Sequence, residues 1–303
     1  MSDSAAKSLQ ILNEDWYDQL GVDLTSGLTR LAQPQNSCDG LEYKENRTII
    51  TVGLDREQVI ADLNKNSATH LVQPGGMAFE KELSSAAYLL KNEEMYYSFP
   101  VATILDAQQV GIKREAELIK FDRRFSNDSE KIELQIALEE MLKKNINSRA
   151  LLTEIVGVSD ELITNVLYNA PHVPADNSTS GIQRTTQGVK LDKGKTGRLV
   201  CGMDNERVVV GCEDPYGALN LSAMLGRLQK CYQDGVADSM NTGPGGARIG
   251  MFLMFNSATS FYAGVIPGEK TSVFCVFPYK MNNKKRNLEP FNLHVFTSSR
   301  EQK

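Results

Sequence analysis

The chain has 303 residues, 41% of them hydrophobic, and a formal net charge of −5 at pH 7. That length and apolar content support one or two buried cores of ordinary domain size, and the acidic balance provides no electrostatic footprint for nucleic acid. No run of 18 apolar residues and no signal segment is read in the sequence, so a cytoplasmic protein without a membrane partner is expected.

In chain order, RTIITVGLDREQVIADLNKNSATHLVQ predicts a strand, a helix and a short strand, and FEKELSSAAYLLKN a further helix. This alternation points to an α/β layer with parallel strands. His70, inside the apolar run ATHLV, reads as a strand residue. Asp15, Asp18, Asp23 and Asp39 follow no convincing apolar strand, so no phosphoacceptor constellation is expected in the first hundred residues. Residues 97–100 and 108–111 are candidate joints to the remainder.

Beyond the joints, AELIKFDRRF predicts a strand, KIELQIALEEMLKKNI an amphipathic helix, and SRALLTEIVGVSDELITNVLYNAP a helix pair. Glu161, Asn165 and Asn169 recur every four residues and stack on one helix face, with Leu162, Ile163, Val166 and Leu167 on the other and Pro171 as the stop. The Asn165 amide oxygen suits a hard cation such as Mg2+, and a carboxylate one turn earlier can polarise a hydroxyl or water for attack on a phosphate. A solvated helix face has the same pattern. Residues 172–197, which include His172, are polar and predict an exposed loop.

RLVCGMDNERVVVGCEDPYGAL predicts two strands joined through Asp204 and Asn205. Asp214 then ends an apolar strand, where its carboxylate can accept the exocyclic amine of adenine, and Pro215 and Gly217 turn the chain; an ordinary Asp-Pro turn fits equally. Leu225, Leu228 and Tyr232 recur at helical spacing in the stretch that follows. In NTGPGGARIG, Gly243, Gly245 and Gly246 leave backbone N–H groups uncovered ahead of the predicted helix ARIGMFLMFNSA, as a phosphate cradle or a flexible loop would. Arg248 suits a phosphate or a surface ion pair, and Gly250 permits close approach of a neighbour. KMNNKKRN at 280–287 is a small basic patch, read as a solvated tail or partner contact, and His294 in NLHVF reads as a packed strand residue. Cys38, Cys201, Cys212, Cys231 and Cys275 show no CxxC pairing and read as buried thiols of a reducing compartment.

The order and spacing of these segments resemble the histidine-kinase-like (GHKL) ATPase superfamily, the group with the Bergerat nucleotide fold, over roughly residues 112–280. Glu161 to Asn165 stands as the asparagine box, Asp214 to Gly217 as the first glycine box, Gly243 to Gly246 as the second, and Gly268 and Thr271 at the last short motif. The preceding strand and helices look most like the compact anti-sigma-factor serine kinase type. The resemblance implies ATP and Mg2+ as cofactors, Glu161 as catalytic base and Asn165 as metal ligand. It implies Asn165, Asn169, Asp214, Gly217, Gly243, Gly245, Gly246, Arg248 and Thr271 as nucleotide contacts. The stretch 220–242 would be a mobile lid over ATP, its alternative being a fixed helix on the sheet, and the fold an α/β two-layer sandwich over residues 111–303. No GxxxxGK[ST] occurs, which sets the chain apart from P-loop proteins. The first box departs from the usual Asp-x-Gly-x-Gly, reading Asp214-Pro215-Tyr216-Gly217-Ala218, which bears on turnover more than on binding.

Residues 45–95 resemble the closing half of a response-regulator receiver, so 1–110 is expected to be a degenerate receiver-like α/β regulatory domain separable from 111–303. The expected function is a Mg-ATP-dependent serine/threonine kinase or anti-sigma-factor-like regulator acting on a protein partner, with a homodimer left open. The alternative is a nucleotide-gated interaction module with weakened chemistry. A sensor kinase is the lesser reading, because His70, His172 and His294 do not sit in a phosphoacceptor hairpin.

Overall fold

The computed structural model describes residues 10–12, 48–50, 53–65, 68–170, 189–234 and 247–298. Its centre is one mixed α/β sheet. The strands are β1 (Gln10–Leu12), β2 (Thr48–Ile50), β3 (His70–Val72), β4 (Ile119–Phe125), β5 (Gly197–Met203), β6 (Arg207–Asp214), β7 (Ser260–Ile266), β8 (Lys270–Pro278) and β9 (Asn292–Thr297). They lie in the order β1-β2-β3-β9-β7-β8-β6-β5-β4, with β2/β3 and β7/β9 parallel and the other neighbours antiparallel. The helices are α1 (Arg56–Lys65), α2 (Phe79–Ser98), α3 (Pro100–Leu105), α4 (Ile112–Leu118), α5 (Lys131–Lys143), α6 (Arg149–Thr164), α7 (Leu221–Asp234), α8 (Ala247–Ser257) and the short α9 (Asn283–Arg286).

The central strands are apolar on both faces because both faces are covered, the pattern of a fully buried sheet. Leu199, Cys201, Val208, Val210, Phe261, Cys275, Phe277 and Leu293 point to one side. There they meet α1, α5, α6, α7 and α8, whose contributions include Ile60, Leu138, Ile155, Leu225 and Phe255. On α5, Leu134, Leu138 and Leu142 are the buried stripe at i, i+4 and i+8. The alternate strand positions Val200, Val209, Tyr262, Phe274, Val276 and Phe296 point to the other side, against Leu89, Tyr96 and Tyr97 of α2 and Val101, Ile104 and Leu105 of α3. Gly211 is required in this second layer: the Phe274 ring occupies the place where its Cβ would stand.

The result is three layers, helix, sheet and helix, where the resemblance implied two layers in the C-terminal part. The additional layer comes from α2 and α3, which precede residue 110. A boundary after residue 110 therefore runs through a shared core, and the sheet crosses it as well, since β3 pairs with β9 through His70↔His294 and Leu71↔Leu293. The candidate joint at 97–100 lies inside that core, where Tyr97 and Pro100 are buried; 108–111 is an exposed turn.

A buried polar network fastens α2 to the sheet. The Glu82 carboxylate is fully buried and accepts from the hydroxyls of Ser260 (2.8 Å) and Tyr262 (2.5 Å), from Arg207 (3.4 Å), and stands 3.1 Å from His294 Nε2. His294 Nδ1 lies 3.1 Å from His70 Nδ1. Both histidines are strand residues, as expected; their pairing across β3 and β9 is a tertiary outcome.

Candidate functional site

The helix that carries Glu161 starts at Ser148, whose hydroxyl accepts the N–H of Leu151 as an N-cap. The predicted helix pair is one helix, α6, that widens into a π turn over Asn165–Asn169. Such one-turn bulges occur often at functional sites. The turn packs against β6, and α6 itself lies across β5, β6 and β8. Asn169 Nδ2 donates to Asn165 Oδ1 at 2.6 Å, so the four-residue spacing does bring the two amides together. Asn165 Nδ2 is buried without a hydrogen-bond partner. At the preceding positions of α6, Lys131 Nζ of α5 donates to Thr164 Oγ1 (2.7 Å) and pairs with Asp160 (2.8 Å), and Gln135 also donates to Asp160. These two α5 side chains pin Asp160 and Thr164, the neighbours of Glu161 and Asn165, a support that helical periodicity does not reveal.

Glu161 meets α8. A Cβ on Gly250 would stand 1.7 Å from Glu161 Oε2, so the carboxylate occupies the space that the glycine leaves open in the first turns of α8. A helix N-terminus favours negative charge at that place. Gly250 thus does permit a close approach, and the neighbour is the carboxylate of the asparagine box.

Asp214 ends β6 opposite Thr271 of β8. Its Oδ1 accepts the Tyr216 N–H at 2.9 Å. Burial raises its pKa above the ordinary carboxylate range, against the opposing pull of the Tyr216 N–H and the nearby Thr271 hydroxyl. Thr271 Oγ1 is buried and makes no hydrogen bond of normal geometry. The turn after Asp214 is braced: the Tyr216 hydroxyl accepts the Asp192 N–H (3.2 Å), and Lys195 Nζ stands 3.9 Å from the centre of the Tyr216 ring. Tyr216, which with Ala218 departs from the resembled motif, is therefore part of the architecture of this turn.

Gly217 has φ +57°, and a Cβ there would meet the Ile266 carbonyl at 2.0 Å. Its carbonyl accepts the Gly268 N–H (3.2 Å). Gly217 thus locks the Asp214 turn against the β7–β8 hairpin, where Gly268 itself has φ +75°. Gly217 and Gly268 are joined directly.

Gly243, Gly245 and Gly246 lie outside the described residues, as does the side chain of Arg248, whose backbone belongs to the start of α8. Most of the loop at 172–197, with Pro171 and His172, and the residues Asp15, Asp18, Asp23, Asp39 and Cys38 also lie outside them. The first part of the stretch read as a lid is α7. Met224, Leu225, Leu228 and Cys231 of α7 are buried, so this part is a fixed helix packed on α1 and α8. In the basic patch, Arg286 is buried and its Nη2 binds both oxygens of Glu154 on α6 (2.9 and 2.7 Å), so one cation of KMNNKKRN is structural.

Among the described residues, no group of three His, Cys, Asp or Glu side chains is placed to hold a metal, and no helix is long and apolar enough to cross a membrane. The fold and site define the chain as a mixed α/β protein with a carboxylate-and-amide helix packed on one face of its central sheet. No protein-family model matches the chain, and no curated protein is significantly similar to it.

Proposed function

We propose that the chain is a Mg-ATP-binding signalling protein of the Bergerat type. The observation that carries the reading is the meeting of separate motifs: Glu161 against Gly250 at the start of α8, and Asp214 beside Thr271 at adjoining strand ends. Residues 119–278 supply the strands β4-β5-β6-β8-β7 with α5, α6, α7 and α8 on one face, a mixed α/β layer on which these motifs are carried. The donor set fits the nucleotide. Asp214 supplies a buried acceptor for an exocyclic amine, and the Thr271 hydroxyl and the Asn165 amide are buried polar groups with bonding capacity left over. The Asn165 amide oxygen suits Mg2+, an ion that commonly completes its shell with substrate phosphates and water. Asn165 Oδ1 would exchange its Asn169 donor for the ion.

In this reading Asn165 holds Mg2+ and Glu161 takes the proton from a serine or threonine hydroxyl of a partner protein as the γ-phosphoryl group moves to that oxygen and ADP leaves. The alternative, nucleotide-gated partner binding with weakened transfer, draws support from Gly217, which is spent on packing against Ile266 and Gly268. Thermal unfolding with and without Mg-ATP tests binding. A ligand that binds only the folded state stabilises it by about 2.7 kcal/mol at a hundredfold excess over Kd. A rise in Tm at millimolar Mg-ATP that is mostly lost in Asp214→Asn is expected; an unmoved wild-type transition would overturn the reading. Labelled ATP with a co-expressed partner then separates transfer from gating.

A further inference from the structure

We infer that α1, an element that adds no residue to the candidate nucleotide site, is a brace that sets the site's affinity through α8. Arg56, the first residue of α1, reaches 199 positions along the chain to the far end of α8. Its Nη1 donates to the Phe255 carbonyl and its Nη2 to the Ala258 carbonyl at 2.8 Å. Carbonyls at a helix C-terminus lack intrahelical donors and carry the negative end of the helix dipole, so a guanidinium is the complementary cap. The cap is shielded as well. The Phe291 ring lies 4.3 Å from the guanidinium carbon, and burial lowers the Arg56 pKa to about 10.

The remainder of α1 fastens the neighbouring helix. Val59, Ile60 and Leu63 are buried in the same core as Leu225 and Leu228 of α7, against which α1 packs. Helix α7 is in turn tied to α8: the Tyr232 hydroxyl donates to Asn256 Oδ1 at 2.8 Å, and the Tyr232 and Phe252 rings lie 4.9 Å apart. The Arg56 and Asn256 attachments fall at the C-terminal end of α8 and the Phe252 contact at its middle. The opposite end of that helix carries Gly250, with the Glu161 carboxylate against it. An α-helix of 11 residues is a rod of about 16 Å. A shift allowed at the Arg56 cap therefore reaches the Glu161–Gly250 contact. Because that contact leaves no room for a Cβ, a small displacement of the rod changes where the carboxylate can sit. Helix α1 thereby acts on the site without adding a residue to it.

This inference rests on the nucleotide reading for its effect on affinity, but the mechanical part stands apart from it. Arg56→Met, which keeps the stem and removes the cap, and Arg56→Lys, which keeps the charge, are compared with the wild type. Amide hydrogen exchange at residues 250–254 is read first, without nucleotide. Faster exchange in Arg56→Met, partly restored in Arg56→Lys, is expected; unchanged exchange in a folded Arg56→Met protein overturns the brace whatever the chain binds. Titration with a fluorescent ATP analogue is read second, and weakening by about fivefold or more is expected, the scale of an ordinary coupling between sites. Equal affinity in the two proteins overturns the coupling. Should Arg56→Met not fold, reciprocity supplies the test in the wild type: nucleotide must then slow exchange in α1, and an α1 indifferent to saturating nucleotide overturns the inference. A wild type that binds no ATP fails the proposed function, and the exchange measurement alone then decides the brace.

Discussion

At Gly250 the side chain of Glu161 fills the space of the absent Cβ, so Gly250→Ala must displace a carboxylate or the helix that bears it. Overpacking of this kind costs about 1–3 kcal/mol. Urea unfolding of Gly250→Ala should show a lowered midpoint with an unchanged slope; a midpoint equal to the wild type would mean that Glu161 can swing away freely. His70 gives a pH dependence of definite sign. Burial, and next the adjacent His294, hold its pKa well below the ordinary value, so it is neutral in the folded chain while the unfolded chain takes up a proton below about pH 6.5. Its contribution is complete above that pH and is lost as the pH falls toward the folded value, by up to about 1.4 kcal/mol per pH unit. Urea midpoints between pH 7.5 and 5.5 should fall less in His70→Leu than in the wild type. Parallel curves would assign the acid sensitivity to other groups.

At the scale of elements, α6 combines two roles that should separate on mutation. Leu162 and Ile163 anchor it in the core, while Glu161, Asn165 and Asn169 occupy its polar side and the π turn. Asn165→Ala should remove the Mg2+-dependent part of ATP binding. Glu161→Gln should retain binding and lower turnover by about 10²–10⁴-fold, the range for loss of a general base. Equal turnover in Glu161→Gln and wild type would place the base elsewhere. Helix α5 supports α6 from beneath through the fully buried Leu138 and from the side through Lys131. Leu138→Ala should cost about 2–5 kcal/mol of stability by leaving a cavity in that support.

For the whole molecule, the division at residue 110 has a measurable consequence. A fragment of residues 112–303 would lack α2 and α3, uncovering Val209, Tyr262, Phe274, Val276 and Phe296 together and taking Glu82 and the Leu105 carbonyl from Arg207. Circular dichroism melting of the fragment should therefore show no cooperative transition where the full chain shows one. A sharp transition in the fragment would support the two-domain division expected from sequence.

The sequence by itself determined the local elements of this protein. Strands β5 and β6, the α5 stripe at Leu134, Leu138 and Leu142, and the helix carrying Glu161, Asn165 and Asn169 were legible because strand alternation and helix period are set by near neighbours in the chain. The strand placement of His70 and His294 was legible for the same reason. What lay beyond it were the pairings between distant residues: His70 with His294, Arg56 with the end of α8, Glu82 with Arg207, Gly250 with Glu161. No periodicity encodes those, because each depends on which face of the sheet a helix covers. That choice was settled only by burial: strands apolar on both sides need a second helical layer, and α2 and α3 are the helices that supply it.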